Sequence, residues 1–133
     1  MGMSAGYIQS HSISSHTIVE NHPQIIEKAE KWASGKANVT IVSQSIEDCV
    51  DSLGTYDGIF WDAFGDVHFY DVMSGSLDNL KKNNGTKLTF FHGALNDDYL
   101  YHWTDVEYEA ISISPDDNPY YPHDISYMPK LEI

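Results

Sequence analysis

Four short runs rich in β-branched or aromatic residues, separated by stretches with helical spacing, constrain this chain more than any other feature. His16-Thr17-Ile18-Val19-Glu20 and Val39-Thr40-Ile41-Val42 read as buried strands. So do Asp57-Gly58-Ile59-Phe60-Trp61-Asp62 and Lys87-Leu88-Thr89-Phe90-Phe91. After the first run, Asn21 is the expected N-cap of a helix with Pro23 in its first turn, an inner stripe of Ile25, Ile26, Ala29 and Trp32, and Gly35 at its end. Ser45, with Asp48 three residues on, has capping-box spacing for a short helix that turns Val50 and Leu53 inward. A longer helix is expected from about His68 to Lys82, with Tyr70, Val72, Met73, Leu77 and Leu80 inward and Asn83-Asn84-Gly85 after it. Apolar strands alternating with helices need cover on both faces, so the spacing predicts an open, mostly parallel α/β sheet.

Beyond Asn96-Asp97-Asp98 the pattern changes. Val106 to Ile113 alternates strictly between apolar and polar residues, and a loop rich in Pro, Asp and Asn (Ser114 to Pro122) leads into Ile125 to Leu131. With no helix between them, these last two strands should form an antiparallel hairpin. Ahead of the first run, Ser4 to Ser10 is helix-like. A sheet of this kind ordinarily opens with a strand and a glycine-rich turn, of which only Gly2 and Gly6 are present.

A chain of 133 residues is expected to form one domain, spanning residues 1–133. Its 7 Lys+Arg against 20 Asp+Glu give a formal charge of −13. That excludes a protein that tracks nucleic-acid phosphates and disfavours an anionic membrane surface, because almost no cations are available to displace counterions. It suits a cationic small ligand or acceptor. The one cysteine, Cys49, rules out an intrachain disulfide or a cysteine-based zinc site and reads as a small buried hydrophobe. No apolar run reaches the ~20 residues that span a bilayer. The N-terminus lacks the basic and apolar regions of a signal peptide, so a cytoplasmic protein is expected. His68, His92 and His102 with Asp62 and Asp66 could converge on a metal, but no His-x-x-x-His spacing supports it, and none is expected. Serine-hydrolase and phosphate-loop motifs are missing.

Two carboxylates stand out. Glu20 ends the first visible strand, where a carboxylate of a nucleotide-binding sheet can accept both hydrogen bonds of a ribose diol; the alternative is a solvated acid beside the next helix. Asp62 is delivered by an apolar strand to the sheet's carboxyl edge, where open α/β sheets bind ligands, with Trp61 and Phe64 expected to lower the dielectric around it. A carboxylate there can hold a cationic nitrogen, orient it, or take its proton during a nucleophilic attack; otherwise it is a loop or capping Asp.

Gly2-Met3 with Ile8-Gln9, His16 to Pro23, Ser43 to Asp48, Tyr56 to Asp62 and Tyr120-Tyr121-Pro122 together resemble guanidinoacetate N-methyltransferase and the related fungal δ-N-arginine methyltransferases. These are class I S-adenosylmethionine-dependent enzymes with a Rossmann-like sheet. The resemblance implies that Gly2 and Met3 close the cofactor loop, Glu20 holds the adenosyl ribose, and Ile46 and Glu47 border the adenine. It also implies that Asp62 touches the cofactor site, holds the guanidino group and assists methyl transfer. The family's first strand, the first glycines of its loop and an acceptor-binding segment have no counterpart, so a chain truncated at the N-terminus is expected. The expected function is N-methyl transfer from S-adenosylmethionine, yielding S-adenosylhomocysteine, to a guanidino or related amine acceptor. That acceptor is a small molecule or an arginine-containing chain, with no nucleic-acid or membrane partner. The alternative is a non-catalytic binding or assembly module on the same scaffold. All of this expects Glu20 and Asp62 to face a shared cleft.

Overall fold

The structure, a computed structural model that describes residues 3–62, 67–90, 106–112 and 125–133, contains all six strands expected from the sequence. The chain divides into two units, Met1–Ser52 and Leu53–Ile133.

In the first unit the order is α1 (Met3–Gln9), β1 (His16–Val19), α2 (Pro23–Ala33), β2 (Val39–Val42), α3 (Ile46–Cys49) and a 3-10 turn, Val50–Ser52. β1 and β2 pair in parallel and in step, from His16 opposite Val39 to Val19 opposite Val42. α2 buries Ala29 and half-buries Ile25, Ile26 and Trp32, the stripe its spacing indicates. Its N-cap is His22 and not Asn21: His22 is extended (φ −83°, ψ 119°) and makes no side-chain cap, and Pro23 begins the helix. It is the His22 carbonyl that accepts the first helical bonds, from Ile25 N–H (2.9 Å) and Ile26 N–H (3.0 Å). Gly35, at φ 82°, takes the left-handed conformation that stops the helix at low steric cost.

The second unit comprises β3 (Gly58–Trp61), α4 (Val67–Leu80), β4 (Lys87–Phe90), β5 (Glu107–Ser112) and β6 (Ile125–Glu132). Its strand order is β3-β4-β6-β5. β3 and β4 are parallel, whereas β6 is antiparallel to both β4 and β5, so the expected closing hairpin is present. Among the described strands, parallel pairing joins β1 to β2 and β3 to β4. α4 lays Tyr70, Met73 and Leu77 on Leu88 and Phe90, with Ile59, Trp61 and Leu131 half-buried around them. Each fully buried side chain of this size contributes about 1.5–3 kcal/mol. Val72, placed inward by the spacing, is only half-buried, and Lys81-Lys82 lies just past the helix. There Lys81 pairs with Asp78 at 2.6 Å, and Lys82 with Asp57 at 2.9 Å. Buried Thr86 donates its hydroxyl to the Tyr56 carbonyl (2.9 Å) and accepts the Lys82 N–H (3.0 Å), pinning the start of β3 to the end of α4.

Candidate active site

Parallel strands that end level deliver their next residues to one edge. In the first unit Val19 is opposite Val42, and the Glu20 N–H still bonds the Val42 carbonyl at 3.0 Å. Glu20 and the segment from Ser43 into α3 therefore leave the sheet at the same carboxyl edge. Glu20 stands just past β1, half-buried. Its Oε1 accepts two backbone hydrogen bonds, from Asn21 N–H (2.9 Å) and His22 N–H (2.8 Å). Two charge-assisted bonds on one oxygen fix the carboxylate's orientation. The second oxygen, Oε2, makes no hydrogen bond among the described residues. The open oxygen has two lone pairs, enough to accept one bond from each of two vicinal hydroxyls. The sequence reading missed the part played by His22; an acidic residue three positions before a helix-starting proline is the signal that could have shown it.

Across that edge, Ser45 accepts the Asp48 N–H (3.3 Å) and donates to Asp48 Oδ2 (2.7 Å), the capping-box arrangement expected from the sequence. This sets Ile46, half-buried, and Glu47, exposed, in the first turn of α3. An apolar side chain and a carboxylate there can flank a flat heterocycle and meet an amino group. Cys49 is buried at the end of α3. Burial, with the charge of Asp48 as a smaller cause, pushes its thiol up from 9.0, which suits a packed hydrophobe and not a nucleophile. Met3 begins α1, and Gly2 lies outside the described residues.

In the second unit Trp61 is level with Phe90, and Asp62 is the first residue beyond the carboxyl end of β3. It is exposed and makes no hydrogen bond to a described residue. The expectation that Trp61 lowers the dielectric around it needs correction. Alternation along the strand turns Trp61 to the opposite face, where its ring meets Phe69 at 6.1 Å and packs on the α4 core. Phe64, Asp66, His92, His102 and the pair Tyr120-Tyr121 lie outside the described residues. His68 sits exposed in the first turn of α4. Among the described residues no three His, Cys, Asp or Glu side chains gather as metal ligands do. No helix there is long and apolar enough to cross a membrane.

Solved structures define the class of fold. A protein of Escherichia coli assigned as a methyltransferase superposes over 97% of this chain and 68% of its own, with TM-score 0.70 and 11% identity. A precorrin-6y C5,15-methyltransferase from Geobacter metallireducens matches 86% of this chain and 65% of its own (TM-score 0.63, 18% identity). Aeropyrum pernix fibrillarin, solved with natively bound S-adenosyl-L-methionine, matches 86% of this chain and 54% of its own (TM-score 0.60, 11% identity). The fold is the Rossmann-like α/β fold of class I S-adenosylmethionine-dependent methyltransferases.

In sequence the chain is similar to protein arginine N-methyltransferase 2 of Yarrowia lipolytica, at 28% identity over 136 residues. That match takes in 87% of this chain and 28% of the relative. The protein of that name from Aspergillus oryzae is 29% identical over 89% of this chain and 33% of its own length. The chain thus spans about three tenths of the length of these relatives. No protein-family model matches it.

Proposed function

We propose that this chain binds S-adenosylmethionine and takes part in methyl transfer to a nitrogen of a guanidino-type acceptor, an arginine side chain or a small guanidino compound. The observation that carries the reading is the Glu20 carboxylate, clamped through one oxygen and open at the other, on the sheet edge that also bears the first turn of α3. The bound cofactor supplies an electrophilic methyl on a sulfonium. Glu20 would hold its ribose hydroxyls, Ile46 and Glu47 would border its adenine, and Gly2 and Met3 would lie by the tail of the same molecule. A net charge of −13 favours both a sulfonium and a guanidinium, since each is a cation.

Asp62 is assigned to the acceptor. Exposed at the end of β3, its carboxylate can accept N–H bonds from a guanidinium, orient one nitrogen for in-line attack, and take up the proton that nitrogen loses as the new N–C bond forms and the methyl–sulfur bond breaks. The similarity to protein arginine N-methyltransferase 2 supports this acceptor class, and the neighbour with bound S-adenosyl-L-methionine supports the cofactor. The single-domain reading of residues 1–133 and a cytoplasmic location belong to the same proposal.

The test is transfer of labelled methyl to guanidinoacetate, free arginine and an arginine peptide. Transfer is expected to at least one of them. Asp62→Asn, which keeps shape and removes charge, should lower turnover by about 100-fold or more, the scale of losing a preorganised electrostatic group. Cofactor affinity should stay within a factor of about two, less than one hydrogen bond's worth. An Asp62→Asn variant that retains most of its turnover removes Asp62 from the reaction.

A further inference from the structure

A proline inside a sheet breaks a local rule, because it cannot donate to a ladder and is ordinarily confined to edge strands, first residues and bulges. Pro129 is such a residue. It lies within β6, which runs between β4 and β5, and its side chain is fully buried. The hydrogen bonding shows which neighbour loses the donor. Ile133 N–H bonds the Thr86 carbonyl at 3.0 Å, so it faces β4. Backbone groups alternate sides along a strand, so Leu131 and Pro129 face β4 as well, while Lys130 and Met128 face β5. β5 accordingly pairs with β6 in unbroken register past Pro129, from Glu107–Lys130 to Ser112–Ile125. The pairing of β4 with β6 instead ends at Leu88–Leu131, although β4 continues to Phe90. The next two rungs, Thr89–Lys130 and Phe90–Pro129, would both need the N–H of residue 129 donated to the Phe90 carbonyl, and proline has none.

The interruption falls beside the candidate site. Phe90 is level with Trp61, and Asp62 follows Trp61. We propose that Pro129 is a positioning residue for the acceptor: by withholding one N–H it leaves the carboxyl ends of β3 and β4 unfastened from the closing hairpin, and so sets where Asp62 stands. The inference rests on the acceptor role proposed for Asp62. At this level Phe90 is buried in the α4 core, with Trp61 packed against it, and that packing locates the ends of the two strands in place of rungs to β6. A completed ladder would draw the Phe90 carbonyl toward β6. β4 carries β3 with it through the rungs from Gly58–Lys87 to Trp61–Phe90, so Asp62 would move too. In-line transfer is sensitive to such a movement, since a misplacement of about 1 Å costs on the order of 100-fold in rate. Packing alone does not call for proline here, because a β-branched residue would fill similar space and keep the rung. Local rules of this kind are broken chiefly at functional sites.

Methyl transfer by the full chain to guanidinoacetate, free arginine and an arginine peptide, read together with amide hydrogen exchange, tests this. Pro129→Val keeps an apolar side chain and restores the N–H. Its new amide should be protected from exchange, and kcat should fall by about tenfold or more. Affinity for S-adenosylhomocysteine should stay within a factor of about two, because Glu20, Ile46 and Glu47 lie in the first unit. The same variant made with the α-hydroxy acid of valine has an ester oxygen in place of that N–H, so its kcat should return toward the wild-type value. Should valine disturb the fold, Pro129→Ala and its ester form carry the same measurements. A protected amide with undiminished kcat overturns the proposal, and so does a new amide that exchanges freely. An ester form as slow as the amide form also overturns it, because the loss would then come from packing. A wild type that transfers no methyl contradicts the acceptor role of Asp62 itself and takes this assignment with it, whereas the other outcomes concern Pro129 alone.

Discussion

The two units are held together differently. The second is organised around large side chains: Met73 and Phe90 are fully buried, Leu88 nearly so, and Tyr70, Leu77 and Leu80 are buried with them. In the first, the buried apolar residues among those described are small, namely Ala5, Ala29 and Cys49, and every residue of β1 is half-buried. Apolar burial scales with side-chain area, so the second unit draws its stability from its core. The first leans on local devices, the Ser45 capping box and the Glu20 clamp, together with whatever binds its carboxyl edge. Such an arrangement suits a unit that gains stability from a ligand, by about 2.7 kcal/mol at a hundredfold excess over Kd.

The largest expected effect lies in the second unit. Phe90→Ala should cost about 3–5 kcal/mol in urea unfolding followed by a probe in β3–β4, because it opens a cavity beneath α4. A loss below about 1 kcal/mol would show that the two units are not distinguished by their cores. Smaller is the effect of Ser45→Ala in the first unit, about 1 kcal/mol for a lost N-cap, read by unfolding probed at Trp32. An unchanged midpoint would remove the cap from the list of devices holding α3.

The smallest is a pH slope from His16. Burial, beside Trp32 at 6.2 Å, lowers its pKa below 6.5. The unfolded chain therefore takes up this proton before the folded one does. The stability involved is fully present above pH 6.5 and falls as pH drops from there toward the lower folded value. Replacing His16 with Gln should flatten urea midpoints measured between neutral and mildly acid pH, and an unaltered slope would assign the dependence elsewhere.

Much of the fold was legible because its strands are short and differ sharply in composition from what separates them. Val39 to Val42 is read to the residue, and Ser45 with Asp48 is recognisable as a cap from identity and spacing alone. Two features escaped. Asn21 has the right chemistry for an N-cap, yet the first helical bonds go to the His22 carbonyl, one residue nearer Pro23 than side-chain preference indicates. Trp61 looks like a wall beside Asp62 in sequence, but consecutive strand residues point to opposite faces, and the tryptophan goes to the core. For the site, the positions of Glu20 and Asp62 at strand ends follow from where apolar runs stop. The double hydrogen bond that orients Glu20 does not, since it depends on the backbone bend leading into Pro23.

The account rests on Glu20 as the anchor for a nucleoside diol, and titration calorimetry with S-adenosylhomocysteine tests that most directly. Binding is expected for the wild-type chain, with Glu20→Ala weakening it by about 1.5–3 kcal/mol, the range for hydrogen bonds to a charged group. Wild-type protein that gives no heat at millimolar ligand, or a Glu20→Ala variant of undiminished affinity, would contradict it.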